Sequence, residues 1–417
     1  MKRTRFFQTI IGLQVFFFWI AATPVNAQTP TLTNCYESIY QQRLAQDSAI
    51  YYYTRGLNNA LNNLINNPNP TPQSNPTLII PVVVHIMHGT GEAVGTGRNI
   101  SYAQILSQIN KLNANFANDT VLMGQSGQYG VNTDIQFCLA KIPMGPGGWS
   151  DPNYPGVMRY ATTSTVLNHI YDNAGTGAQQ LLAITHPNTS FFPFANYLNI
   201  WTVDNINNNV VLGYAPTPIL NAFPLDGIVI DVRVFGDNTV NNNNFNLLTQ
   251  YDAGTVLAHE AGHYLNLMHT FQGGCVGDNQ TNCQTQGDFI CDTPPSAATP
   301  GSCGPANSCT DALPAYNFID APDNLNDYMS YADDNCLNTF TFGQGQRMYA
   351  YLQNFRMVLV SNTNLALTGV AGGNSCIPSL LLADINSPGL SCVNTPVNFS
   401  TNTGVGFSAV SWLWQFP

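Results

Sequence analysis

The chain has 417 residues, 44% of them hydrophobic, which is enough for a folded core and more than one domain. Only 8% are charged, against about 25% in ordinary globular proteins, so the surface is filled with Asn, Thr, Ser, Gln and Gly. The formal net charge is -11 and no run of Lys or Arg interrupts it, which excludes the basic footprint that a nucleic-acid partner needs and suits bound calcium.

The N-terminus reads as a signal peptide over residues 1–27. Lys2, Arg3 and Arg5 precede an apolar run from Phe6 to Ala22, and Val25-Asn26-Ala27 is a small-residue cleavage site. The alternative is an uncleaved anchor, for which the run is short; no later stretch is long enough to span a bilayer. Residues 28–75 then read as a pro-segment and linker. Tyr36 to Leu64 has scattered apolar positions and few breakers, and Asn67 to Asn75 is rich in Asn and Pro, an exposed stretch suited to maturation cleavage.

The catalytic core is expected over residues 76–360. Thr77 to Met87 is a β-branched run and reads as a buried strand. Ser101 caps a helix that carries Ile105, Ile109, Leu112 and Phe116 at helical spacing. Thr133 to Ile142, Tyr197 to Asp204 and Asp226 to Val232 are further strands, so an α+β fold with a twisted mixed sheet is predicted. Tyr251 to Leu267 is the next helix, residues 270–335 are loop-rich, and Gly343 to Leu359 is a last helix. Residues 361–375 read as a linker of small polar residues. Residues 376–417 read as the start of a β-sandwich with strands at Val397 to Phe399 and Val410 to Trp414, too few for a whole one, so the chain is expected to be a fragment or to stop inside a second domain.

The chemistry lies in His259-Glu260-Ala261-Gly262-His263. Residues four apart share a helix face, so both imidazoles can meet one metal ion. Glu260 beside them can hold a metal-bound water and take its proton, since zinc lowers the pKa of that water to about 7. The motif continues through Asn266 to His269. For His269 to return to the ion, the helix must end and the chain must turn near residue 266, a place where Gly is usual and Asn is the best substitute. His85, His88, His169 and His186 show no such spacing, and His85 sits on the buried strand as a core residue.

This extended motif resembles the metzincin clan of zinc proteases. Asn326-Asp327-Tyr328-Met329-Ser330-Tyr331 resembles that clan's Met-turn, with Met329 beneath the histidines and Tyr331 as the tyrosine that stabilises an oxyanion. Within the clan the chain is most similar to the pappalysin-like (cytophagalysin) metalloproteases. The likeness covers roughly residues 78–360 and includes IPVVVHIM, DIQFCLA, LNIWTVD, HEAGHYLNLMHTF, CDTPP and YMSYADDNCLNTFTFGQGQRM.

The resemblance implies a two-subdomain protease with a backing helix, an active-site helix and an irregular, disulfide-rich C-terminal subdomain. It implies pairs Cys275–Cys303 and Cys291–Cys336, which leave Cys283–Cys309 and Cys376–Cys392. Asp288, Asp292 and Thr293 are candidate calcium ligands, with Asx-turn chemistry as the alternative. Cys35 is either a half-cystine with Cys138 or a pro-segment thiolate that occupies the zinc and keeps the enzyme latent. Asn335 stands where some members carry an Asp that selects basic P1′ residues, with Asp333 and Asp334 beside it. The C-terminal segment resembles a PKD-like domain. The whole reads as a secreted zinc metalloendopeptidase, extracellular or at the cell surface, acting as a monomer on protein or peptide substrates. The alternative is a zinc-containing adhesion module without catalysis.

Overall fold

A computed structural model of the chain describes residues 33–35, 48–65, 76–119 and, with short interruptions, 130–371, together with 376, 384–386 and 400–402. The expected signal peptide, the linker after residue 66 and nearly all of the expected β-sandwich lie outside the described residues.

The strands are β1 (Thr33–Cys35), β2 (Leu78–Gly89), β3 (Ile135–Leu139), β4 (Val157–Thr162), β5 (Leu198–Val203), β6 (Val211–Tyr214), β7 (Gly227–Asp231), β8 (Asp384–Asn386) and β9 (Ser400–Asn402). The helices are α1 (Ser48–Ile65), α2 (Tyr102–Ala117), α3 (Thr176–Thr185), α4 (Thr255–Tyr264), α5 (Phe342–Phe355) and α6 (Asn362–Thr368). Seven strands form one sheet in the order β1-β6-β7-β5-β2-β3, with β4 also on β2. Every pairing is parallel except β6 with β7, so the sheet is mixed, as expected.

β2 is the central strand because its run of apolar residues can be buried on both faces. Ile80, Val82, Val84 and Ile86 point into one core with α2 and α4, while Met87 joins the opposite core with Trp201, Val229 and Leu181 of α3. One edge of β2 pairs with β5, and the other pairs with β3 over its first half and β4 over its second. His85 is fully buried in this strand, pairs through Nε2 with Asn199 Oδ1 at 2.7 Å and stacks on Trp201, a satisfied core residue.

α2 is capped by Ser101, whose side chain accepts from Gln104 N–H. It braces the entry to α4. Gln108 Nε2 donates to Gly254 O at 3.0 Å, and Gly236 N–H donates to Gln108 Oε1 at 2.7 Å. α4 is shorter than the sequence pattern suggests. Gly254, at φ 69°, starts it, and it ends at Tyr264. Beyond it, residues 270–335 hold only a short 3-10 turn at Pro314–Tyr316 among the described residues.

The expected linker at residues 361–375 is corrected: Ser361 caps α6 and Gly369 closes it at φ 76°. The backbone of Lys141 and Ile142 donates to Thr368 O, which docks α6 beside the end of β3. β4, α3 and β6 were also not anticipated. The expected strands near residues 397 and 410 lie outside the described residues; the described β8 and β9 pair antiparallel.

The disulfides differ from every expected pair. The bonds are Cys138–Cys376, Cys275–Cys309, Cys283–Cys291 and Cys303–Cys336. Residue 279 bridges to 312, and Ala312 N–H donates to Asp278 O, which brings Cys275 to Cys309 rather than Cys303. Turns over 279–289 bring Cys283 to Cys291, eight residues away, so neither Cys283–Cys309 nor Cys291–Cys336 forms. Docking of α6 carries Cys376 to Cys138, which removes both Cys35–Cys138 and Cys376–Cys392.

Candidate metal centre

α4 places His259 and His263 one turn apart, with Glu260 next to His259, on a helix that is buried throughout. The helix must stop for His269 to return, and the stop is a Schellman motif. Leu267 N–H donates to Gly262 O and Asn266 N–H donates to His263 O, both at 2.9 Å. Asn266 carries the left-handed conformation at φ 73°, as the spacing required. The hydrophobic partner of that motif is Leu267 folding back over Gly262.

The three Nε2 atoms then converge. His259 to His269 is 3.2 Å, and His263 is 3.1 Å from each. Metal–nitrogen bonds of about 2.0–2.1 Å in a tetrahedral site give nitrogen separations of about 3.3 Å, so the triangle fits one face of a zinc tetrahedron. Among the described residues this is the group of His, Cys, Asp and Glu side chains that could share an ion.

The outer nitrogens are anchored. His259 Nδ1–H donates to Tyr328 O at 2.6 Å and His263 Nδ1–H donates to Leu267 O at 2.9 Å, which leaves each Nε2 lone pair for a metal. The ring of His269 stacks on Phe271 with centroids 4.5 Å apart. Burial keeps all three neutral, joined at His259 and His269 by the neighbouring imidazoles: His263 is lowered to about 4, and His259 and His269 fall well below the ordinary value. Neutral imidazoles are the metal-binding form. The residues present therefore fit a zinc ion.

Two glycines complete the surroundings. Gly213 on β6 faces Glu260; a Cβ there would lie 2.9 Å from Glu260 Cγ. Gly262 faces the Met329 sulfur so closely that a Cβ would collide with it. The turn at 326–331 is thus directly under α4, and its peptide carbonyls hold the site together. Tyr328 O takes His259, and Met329 O accepts from Thr270 N–H at 3.2 Å. The Tyr331 ring lies 4.8 Å from that of His269 and 5.6 Å from that of His259.

The other expected site residues have the following partners. Asp292 accepts from Thr341 Oγ1 and Gly343 N–H at 2.8 and 2.7 Å, so it caps α5 at its N-terminus. Asp288 accepts from Thr293 Oγ1 and Ile290 N–H. Burial raises Asp288 to about 8. Asp334 is buried and accepts from Ala253 N–H at 2.7 Å at the entry to α4, whereas Asp333 and Asn335 are exposed. The backbone of Cys35 pairs in register with Gly213. Gly213 and the carbonyl of Tyr328 are not foreseen from the sequence, and neither leaves a signal there.

Comparison with known proteins places this geometry. Residues 195–353 match the family described as Peptidase_M43: Pregnancy-associated plasma protein-A. An extracellular metalloprotease of Sordaria macrospora is 32% identical over 164 residues, 38% of this chain and 49% of that protein. Extracellular metalloprotease 1 of Coccidioides posadasii is 40% identical over 106 residues, 25% of this chain and 33% of that protein. The chain therefore spans no more than half the length of these curated relatives. Among solved structures, Tannerella forsythia promirolysin has a TM-score of 0.55 at 26% identity and covers 80% of this chain and 99% of its own. Mature mirolysin in complex with a cleaved peptide has a TM-score of 0.51 at 27% identity, with 70% and 99% covered.

Proposed function

We propose that the chain is a secreted zinc-dependent endopeptidase, with His259, His263 and His269 as ligands and Glu260 as general base. The observation that carries this reading is the 3.1–3.2 Å triangle of Nε2 atoms on a helix that also presents Glu260. The likeness to extracellular metalloproteases and to mirolysin supports it. Among the described residues, no helix is long and apolar enough to cross a membrane.

A bound zinc ion would supply Lewis acidity that acidifies water and polarises a peptide carbonyl. The rest falls to the chain's own residues. Glu260 takes a proton from the attacking water and returns it to the leaving amine. Tyr331 donates a hydrogen bond to the oxygen that gains charge. Tyr328 O and Leu267 O keep two of the imidazoles oriented. Gly213 leaves room for Glu260 against the sheet edge.

Latency is assigned to Cys35, as a thiolate ligand in the uncleaved chain. Its backbone register with Gly213, the residue that faces Glu260, supports this. In the cobalt-substituted uncleaved chain a thiolate-to-metal absorption band is expected; a spectrum unchanged by Cys35→Ala would count against it. A basic P1′ preference, if present, rests on Asp333, because Asp334 is held inside by Ala253 N–H. Calcium near Asp288, Asp292 and Thr293 is supported by the closeness of the two carboxylates, Asp292 helping burial to raise the buried Asp288.

The test is Glu260→Gln, compared with the parent after the segment before residue 76 has been removed from both. It should keep zinc and lose cleavage of casein by a factor of about a thousand or more, the scale of removing both base and proton carrier. Retained cleavage removes Glu260 from its role. A chain that holds zinc but cleaves no peptide library even after the segment before residue 76 has been removed favours the adhesion module. Digestion with and without chelator also reads the P1′ preference.

A further inference from the structure

Arg347 lies in the middle of α5 and is fully buried. Burying a guanidinium is costly unless its N–H groups are engaged, and here two of them grip a single residue. Nε donates to Asn266 O at 2.8 Å and Nη2 donates to Asn266 Oδ1 at 2.6 Å. Asn266 is the left-handed residue that ends α4 and sends the chain back to His269. Arg347 therefore holds both the backbone and the side chain of the one residue whose conformation decides where the third imidazole goes. The same Nη2 also donates to Asn58 Oδ1 on α1, and the Phe289 ring lies 5.9 Å from its guanidinium carbon. Leu57 and Leu61 of α1 pack on Tyr351, one turn further along α5.

We propose that Arg347 is a positioning residue for the metal centre, and that α1 completes its seat through Asn58, so that retention of zinc depends on this clamp behind the histidines. The proposal rests on the zinc reading above. Arg347 touches neither ion nor substrate. It acts by keeping a non-glycine residue in the left-handed region. The segment before the catalytic core would then reach the metal from behind through α1, separately from Cys35 on β1.

Glycine adopts the conformation of Asn266 freely, so a glycine at 266 should make the clamp dispensable. Zinc affinity is measured by competition with a chromophoric chelator on the full-length chain, in a Glu260→Gln background so that no variant cuts itself. Thermal melts of the metal-free proteins show that each is folded. Arg347→Met should weaken zinc about 10–100-fold, the usual cost of losing an outer contact to a metal site. In an Asn266→Gly chain the same substitution should cost less than about threefold. Asn58→Leu, which leaves Arg347 in place, should weaken zinc by about threefold or more.

Equal losses in the Asn and Gly backgrounds would overturn the clamp and leave Arg347 a packing residue. Unchanged affinity in Asn58→Leu would remove α1 from it. A parent chain that binds no zinc sinks the function proposed above. A parent that binds zinc as tightly as Arg347→Met sinks only this inference.

Discussion

Two glycines carry more of the site's geometry than their size suggests, because each marks where another group must come close. A side chain at 262 would drive into Met329, so Gly262→Ala should destabilise the fold by about 1–3 kcal/mol, the cost of forcing an extra carbon into a packed interior. A thermal melt reads it; an unchanged melting temperature would mean that α4 and the turn beneath it are looser than described. Gly213→Ala acts differently. Its Cβ would press on Glu260 rather than on the core, so kcat/KM should fall about tenfold or more while the melt stays within a degree or two. The histidine spacing and the need for a left-handed residue at 266 were legible in the sequence, because both follow from helix geometry alone. The Tyr328 carbonyl was not, since a backbone acceptor has no residue type to read.

At the scale of elements, β2, α2 and α4 were legible because each combines one strong period with a recognisable cap or run. β6 was missed. It has only four residues, one of them glycine, and it is defined by its neighbours rather than by its own pattern. α6 was missed because Asn, Thr and Ser made it look like a linker, although Ser361 and Gly369 are ordinary helix boundaries. The disulfides were misassigned for a related reason: pairing depends on how loops fold back, and spacing does not encode that. Cys138–Cys376 fastens the segment after α6 to β3 across 238 residues. Cys376→Ser should lower stability by about 2–5 kcal/mol in denaturant titration, with zinc affinity unchanged. A weakened metal site instead would show that α6 supports the centre.

Across the whole molecule, buried acids outweigh buried bases as the pH rises above neutral. Burial raises Asp288 to about 8 and Asp327 and Asp334 to about 7. Unfolded, all three ionise near the usual carboxylate value, so the folded state binds more protons and stability falls as pH climbs toward 8. The buried histidines, neutral in the folded state, oppose this only until the unfolded imidazoles have lost their protons, about one unit above pH ~6.5. Between pH 6.5 and 8.5 the unfolding free energy of the metal-free chain should drop by on the order of 1–3 kcal/mol. Asp288→Asn should flatten the profile. If calcium restores the loss at pH 8.5 in the parent but not in Asp288→Asn, the calcium proposal gains direct support; no effect of calcium sinks it. The overall α+β architecture was legible, because its large apolar strands leave few alternatives, while the irregular region after α4 was legible only as irregular.

A sheet edge has room for one tenant. β6 is already bonded to β7 on one side, and β1 occupies the other at Thr33 and Cys35. Any extended peptide that came to lie along β6 would need the same row of amide and carbonyl groups, and so would have to evict β1 first. Abolishing the thiol would leave that eviction still to be done.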